Sequence, residues 1–499
     1  MFVRDVDPEL VDWEAATEFA VVGGGGCGLA AAATAAVHAD VVLLEKADRI
    51  GGKARVATGQ ICGVDSSLQR ERGIDDSAEA FYDDLLAQQT ESSADQYTLD
   101  RTLVTTVAGN SGRTLDWLRE EIGADLTLHT GRFEMAGHRV HRTHYPVRDD
   151  GVIPRAGKPV TDALHEAAVE RGVDVRTEFP CDQLLRDETT GAVIGVASKE
   201  NPTAVPRRQT THMIRADHVL LACDGFAANP ELIAERVPEI AGLDYWGTRE
   251  NTGDALRIAE ELGLRLDEPL YDMHGPFTVP EGVYLPNELV KAGAIIVNDD
   301  AERFMDCGNV PYRVMDMHLL DQPDATGYIV LDGSIVDLFL DEPLTNHQFS
   351  FLLDEDCFDV ADTVAEVAAR YGLDGDRLGS TIATVNRATD DAADVPYGRA
   401  YPHELTPPFY TAKIQPMYVK ARQGIVVDER MRVVRDDGSV VENLYAGGNA
   451  AESLEGGDPN VYIPGMDLMT ALTEGHLVGE FVAESVAGDA DSTTTEGDA

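Results

Sequence analysis

The 499-residue chain is long enough for two or three domains, and its 43% hydrophobic content is ample for burial. Its 89 acidic against 40 basic residues give a formal net charge of −49, a field that repels phosphate backbones and argues against nucleic acid as a partner. No run approaches the roughly 18–20 apolar residues that span a bilayer, so no membrane span is expected.

The first stretch, MFVRDVDPELVDWEAATEF, is acidic and has no apolar h-region, so no secretory signal is expected. Six cysteines, at 27, 62, 181, 223, 307 and 357, form no CxxC pair. That pattern argues against an iron–sulfur cluster or a structural zinc, so no metal is expected. It gives no reason for disulfides, and a reducing cytoplasm is the expected location.

FAVVGGGGCGLAAAATAAVHADVVLLEK carries the most specific signal. Residues 19–22 read as a short apolar strand. Gly23, Gly25 and Gly28 then fall in the GxGxxG register and open an alanine-rich helix. A second apolar strand over 41–44 ends at Glu45, 17 residues beyond Gly28. Such glycines permit a tight turn and close backbone approach to a pyrophosphate at the helix N-terminus, where free N–H groups and the helix dipole favour anions. Glu45 is placed to accept hydrogen bonds from an adenosine ribose.

The motif does not separate NAD from FAD; the following segment does. ADRIGGKARVATGQICG, with Gly51, Gly52 and ATG at 57–59, resembles the second flavin loop of the fumarate reductase/succinate dehydrogenase flavoproteins, a family that includes the 3-ketosteroid Δ1-dehydrogenases. The resemblance continues in order through GNSGRTLDWLREEIGADL, HVLLACDGFAANPEL, NTGDALRIAEELG, GAIIVNDDAERFMD and NLYAGGNAAE. It implies an α/β fold: a Rossmann-like FAD domain of the glutathione-reductase type, discontinuous, with an inserted α+β capping domain. It further implies flavin contacts at Glu45, Lys46, Gly51, Gly52, Lys53, Ala54, Thr58 and Gly59, completed by Asp254, Gly448, Asn449, Asp467 and Leu468. Two positions depart from the family pattern. Asp224 stands where a glycine is usual, and Asn449 replaces a glutamate. No histidine stands near GGKARVATG, so FAD is expected to be bound non-covalently.

The chain then divides into a first FAD segment over 1–268, a cap over 269–420, a second FAD segment over 421–488 and a disordered tail over 489–499. The FAD domain's strands and crossover helices imply a parallel sheet covered on both faces. Only seven of the basic residues are lysine, and a lysine-poor, acid-coated composition resembles that of proteins from salt-loving organisms.

On the substrate side, fumarate reductases hold a dicarboxylate with histidines and arginines. Ungapped counting puts the first of these positions on His274, the acid arginine on Pro311 with Arg313 beside it, the histidine pair on Val419–Lys420, and the substrate arginine on Tyr462. A buried dianion without paired cations is costly. A tyrosine before PG is instead similar to the ketosteroid dehydrogenases, which implies a phenol and a backbone N–H (Gly465 or Met466) polarising a ketone while Tyr418, Tyr284 or Tyr312 removes the α proton. The expected catalytic set is therefore Tyr462, His274, Arg313, Tyr418 and Lys420, although each also has a purely structural reading.

The expected activity is FAD-dependent dehydrogenation or reduction of a C–C bond beside a carbonyl, ketosteroid-dehydrogenase-like or enone-reductase-like. Fumarate-type reduction of an unsaturated carboxylate is the alternative, and a degenerate flavin-binding module the second. The absence of CxxCH implies a separate electron donor or acceptor beside the small-molecule substrate.

Overall fold

The computed structural model describes residues 2–130, 137–148, 156–200, 210–286, 288–306, 312–342, 346–387, 397 and 403–495. Within these, the side chains of 92, 200, 274, 312, 313, 346–348 and 489–495 lie outside the description.

The central layer is a nine-stranded sheet. Strand Ala15–Val22 pairs in parallel with Val41–Leu44 on one side and with Thr210–Leu221 on the other. Val193–Glu200 and Cys181–Asp187 extend the sheet antiparallel from there, while Val440–Ala446 also pairs in parallel with Thr210–Leu221. The sheet is thus mixed rather than parallel, because the segment between Cys181 and Leu221 returns by direct antiparallel pairing instead of through crossover helices.

Two helices cover the strand ends that matter. Gly26–Ala35 is buried along its whole length, and its run of alanines lets the last helix, Met466–Thr495, press against it. At Gly475 a Cβ would stand 2.1 Å from the Cys27 carbonyl oxygen, so the approach needs glycine there. The last helix continues through Thr495, past the boundary expected for a disordered tail. Each added residue needs only one more backbone bond once the helix is running.

Strands Leu270–Thr278, Ile295–Val297, Gly327–Asp332, Asp359–Ala361 and Phe409–Arg422 form a separate antiparallel sheet. It has its own core, from Leu285 to Ile414, distinct from the core under the nine-stranded sheet. The long strand Phe409–Arg422 leads from that second core back toward the first. Helix Val364–Tyr371, closed by a Thr363/Glu366 capping box, and helix Gly375–Arg387 pack on the outside. A third, three-stranded sheet of Ile61–Cys62, Leu126–Leu128 and Thr143–Pro146 lies beside the mouth of the last helix, where the Cys62 N–H donates to the Gly465 carbonyl at 3.0 Å. Among the described residues no helix is long and apolar enough to cross a membrane.

Candidate active site

A cavity of about 770 Å³ runs from the glycine turn to the mouth of the last helix. At its first end Gly23 has φ +109°, and a Cβ there would lie 2.3 Å from the Ala222 carbonyl oxygen. At Gly28 a Cβ would lie 1.9 Å from the Gly23 carbonyl oxygen. Both glycines shape the turn against protein. Gly25 differs: a Cβ there would meet nothing within 4 Å, because it would project into the hollow in front of helix Gly26–Ala35. That hollow, lined by backbone at a helix N-terminus, fits a pyrophosphate.

Glu45 is buried and lines the cavity. Its carboxylate accepts from the Gly24 N–H at 2.8 Å and the Ala47 N–H at 2.7 Å. A carboxylate has about four acceptor sites, so this anchoring leaves capacity for a ribose hydroxyl. Lys46 reaches across to Asp254 at 2.7 Å, and both line the cavity.

Gly52, Lys53, Ala54, Thr58, Gly448, Asn449, Asp467 and Leu468 line the next section. Gly51 and Gly59 do not; with φ of +108° and +81° they turn the chain around it. Burial holds Lys53 below the usual ammonium range, while the charges of Asp224 and Asp467 pull the other way. The two departures from the family pattern prove to be partners: Asn449 Nδ2 donates to Asp224 Oδ1 at 2.7 Å. Asp224 adopts φ +65°, the conformation that explains a glycine preference at this place. Arg422, at the end of strand Phe409–Arg422, completes the group by donating to Asn449 Oδ1 at 3.2 Å.

Behind this wall Glu474 accepts from the Gly448 N–H at 2.7 Å and is fully buried. Burial pushes its carboxyl up to about 8, and Arg422 offsets only part of that. The folded protein therefore holds a proton that the unfolded chain releases near the ordinary glutamate value, about 4.3. The stability this contributes is fully present below that value and is lost as pH rises through about 8. Denaturant unfolding of the FAD-loaded protein in molar salt should show a fall of about 1.4 kcal/mol from pH 7 to pH 9. Glu474→Gln, which keeps an acceptor for Gly448, should abolish most of that slope; an unchanged slope would reject the assignment.

The far end of the cavity is aromatic and acidic. Trp246, Phe277, Val283, Tyr284, Phe351, Val419 and Tyr462 line it, with Asp224, Asp354 and Asp467. Phe277 and Tyr284 meet edge to face with centroids 5.7 Å apart. Of these side chains, the sequence pointed only to Tyr284, Val419, Tyr462, Asp224 and Asp467. Trp246, in the loop before NTGD, is 38% exposed in the structure, and no motif in the sequence marks it.

The structure separates the expected catalytic residues. Tyr462 lines the cavity. Lys420 does not; it is 1% exposed and its ammonium lies 2.6 Å from Asp467, 3.1 Å from Glu455 and 3.6 Å from Asp272. Its charge is held by three carboxylates, so it is not a free cation for a substrate. Tyr418 also lies away from the cavity: it stacks on Tyr245 and its hydroxyl donates to the Ala227 carbonyl at 3.0 Å. A buried phenol committed to a carbonyl is poorly placed as a base. His274 lies on strand Leu270–Thr278 and Arg313 on helix Tyr312–Leu320, but their side chains, like that of Tyr312, fall outside the described residues. The Met466 N–H donates to the Ile463 carbonyl at 3.0 Å, which leaves Gly465, at φ +90°, as the backbone donor beside Tyr462.

The model of a protein family described as "FAD binding domain" matches residues 18–460. The chain is 27% identical over 474 residues to a fumarate reductase (cytochrome) of Shewanella frigidimarina, covering 93% of this chain and 76% of that protein. It is 30% identical over 362 residues to a 3-oxosteroid 1-dehydrogenase of Mycobacterium tuberculosis, covering 65% of this chain and 62% of that protein. Among solved structures, the open conformation of a flavocytochrome c3 fumarate reductase superposes with a TM-score of 0.77 at 24% identity, covering 95% of this chain and 79% of that one.

Proposed function

Because this chain belongs to the FAD binding domain family, we propose that it desaturates or reduces a C–C bond beside an uncharged carbonyl, with a cyclic, steroid-like ketone as the best example of a substrate. When bound, FAD would supply the two-electron chemistry, hydride transfer to or from the substrate. Everything else falls to the protein.

One observation carries the choice of substrate: the far end of the cavity is walled by aromatic rings and carboxylates, while Lys420 is held by three carboxylates and Lys53 stands beside Asp224 and Asp467. Such a wall stabilises a flat apolar molecule and repels a dianion. At that wall the Tyr462 hydroxyl and the Gly465 N–H would donate to the ketone oxygen, where negative charge develops as the α proton leaves. The first-turn N–H groups at Asp467 and Leu468, which helix geometry leaves without intrahelical acceptors, suit the electron-rich edge of the flavin. Among the described residues the cavity wall contains no histidine, which favours a non-covalent cofactor.

Tyr462→Phe tests this reading. Turnover of a cyclic enone by the reduced enzyme should fall about 10²–10³-fold while FAD content stays at the wild-type level. Wild-type turnover in the variant would refute the assignment. A second reading, reduction of an unsaturated carboxylate, is favoured by the relative that covers 93% of the chain being a fumarate reductase. Fumarate turnover with a reduced dye, abolished by Arg313→Ala, would establish it.

Cys27, Cys62, Cys181, Cys223 and Cys357 are all free, which suits a reducing cytoplasm. Electrons would pass to or from the cofactor through a separate partner or a diffusible carrier.

A further inference from the structure

We propose that Trp246 and Phe351 are specificity-determining residues, which hold the outer rings of a fused-ring ketone whose reacting ring lies against Tyr462. This rests on reading the cavity as the site of chemistry beside a ketone, and it adds how far the substrate extends beyond that ketone.

Among the described residues, three large apolar side chains are both exposed and part of the cavity wall: Val56, Trp246 and Phe351, at 43%, 38% and 47% exposure. Single exposed apolar groups are ordinary on a protein surface. Three on the wall of one cavity mark where it opens, and an apolar ligand that covers them is stabilised by the area it removes from water. They come from separate elements. Val56 ends the short helix Gly52–Val56, and Trp246 lies in the loop before NTGD. Phe351 lies on helix Asn346–Asp354, whose Phe349 and Leu352 are buried in the second core, so that Ser350, Phe351 and Asp354 are left to the cavity side.

Trp246 is placed by its neighbour. Tyr245 stacks on Tyr418 with ring centroids 5.3 Å apart, and the Trp246 N–H donates to the Tyr418 carbonyl at 3.0 Å. Residues 245 and 246 are thereby pinned to strand Phe409–Arg422. The Tyr245 ring joins Tyr418 on the side away from the cavity, and the indole takes the cavity side, as Val419 does on the strand itself. The indole begins a row of rings along the wall: its centroid lies 6.0 Å from that of Phe277, which in turn lies 5.7 Å from that of Tyr284.

The same strand ties this row to the polarising end. Two residues beyond Tyr418 comes Lys420, whose ammonium stands 5.9 Å from the centre of the Tyr462 ring. Val419 therefore lies between the residue that anchors Trp246 and the residue beside Tyr462. A ketone bound at Tyr462 has its own ring over Val419 and its further rings toward Trp246, with Phe351 as a second apolar surface at the opening. A single ring stops short of that row, whereas several fused rings reach it. The two side chains touch only the part of the substrate that does not react, so they govern affinity and leave the bond-making step to the Tyr462 end.

Binding to the FAD-loaded, oxidised protein in molar salt tests this, read from the flavin absorbance during titration with 2-cyclohexenone and with the four-ring enone 4-androstene-3,17-dione. Wild type should bind the four-ring enone at least about 100-fold more tightly than the monocycle. Trp246→Ala should weaken the four-ring enone by about 30-fold and Phe351→Ala by about 10-fold, while the Kd of the monocycle shifts by less than about threefold. Trp246→Phe, which keeps a ring, should recover part of the loss. A general disturbance of the fold would weaken both ligands alike, so the ratio of the two Kd values is the readout. A ratio unchanged in both Ala variants overturns the inference, as does a wild type that binds the four-ring enone no more tightly than the monocycle. The ketone reading is judged separately, by turnover of 2-cyclohexenone in Tyr462→Phe: wild-type turnover there removes that reading, while the Kd ratio still decides whether Trp246 and Phe351 hold outer rings.

Discussion

Purified Gly25→Val protein is expected to be folded and colourless, with FAD affinity reduced by at least about 100-fold, roughly 3 kcal/mol. The expectation comes from the contrast among three glycines in one turn. A Cβ at Gly28 would collide with the Gly23 carbonyl at 1.9 Å, and one at Gly23 with the Ala222 carbonyl at 2.3 Å. Those substitutions would disturb the backbone itself. Gly25 has no neighbour within 4 Å of the added carbon, and its φ of −78° and ψ of −170° suit a β-branched residue. Valine there fills only the hollow that a pyrophosphate would occupy and withdraws the helix N-terminus from it. Circular dichroism should match wild type while the visible flavin absorbance is lost. A yellow Gly25→Val protein with wild-type FAD content would remove the pyrophosphate from this turn, and the rest of the cofactor's course with it.

The second large effect concerns stability. Lys420→Met should destabilise the FAD-loaded protein by about 3–5 kcal/mol, the usual consequence of taking one partner from a buried ionic group. Methionine matches the stem of lysine, so little packing is lost, but Asp272, Glu455 and Asp467 are left without their common cation. Adding Asp272→Asn to Lys420→Met should restore part of the loss, since it removes one of the uncompensated charges. Denaturant unfolding in molar salt measures both. A change below about 1 kcal/mol for Lys420→Met would mean that the three carboxylates are already neutral and that the lysine is not what holds them.

How much of this could be read from the chain differs from one segment to another. The strand over 41–44, the glycine turn and Glu45 are local: a run of apolar residues, a glycine spacing and an acid at the next strand end follow one another within 28 residues. The cavity section after Gly51 is nearly as local, because one short helix carries Gly52, Lys53 and Ala54 to it. The helix mouth at Gly465–Leu468 declares itself through PG followed by a run with the length of a helix. Short-range patterns of this kind survive in any fold that uses them.

The substrate end was not legible in this way. Trp246, Phe277 and Phe351 arrive from a loop, a strand and a helix far apart in the chain. Asp224 and Asn449 looked like two unrelated departures until the parallel pairing of strands Thr210–Leu221 and Val440–Ala446 brought them within 2.7 Å. Tyr418 and Lys420 alternate on one strand with Val419, and only the register of that strand decides which side chain reaches the cavity: Val419 lines it, while the tyrosine and the lysine turn away into buried partners. The order of residues was enough to expect the cofactor and to name residues that the fold gathers around one cavity, since a glycine turn is built from neighbours. Whether a lysine is a free cation or the centre of a neutralised cluster depends on which distant carboxylates the fold packs around it, and only the tertiary structure settles that.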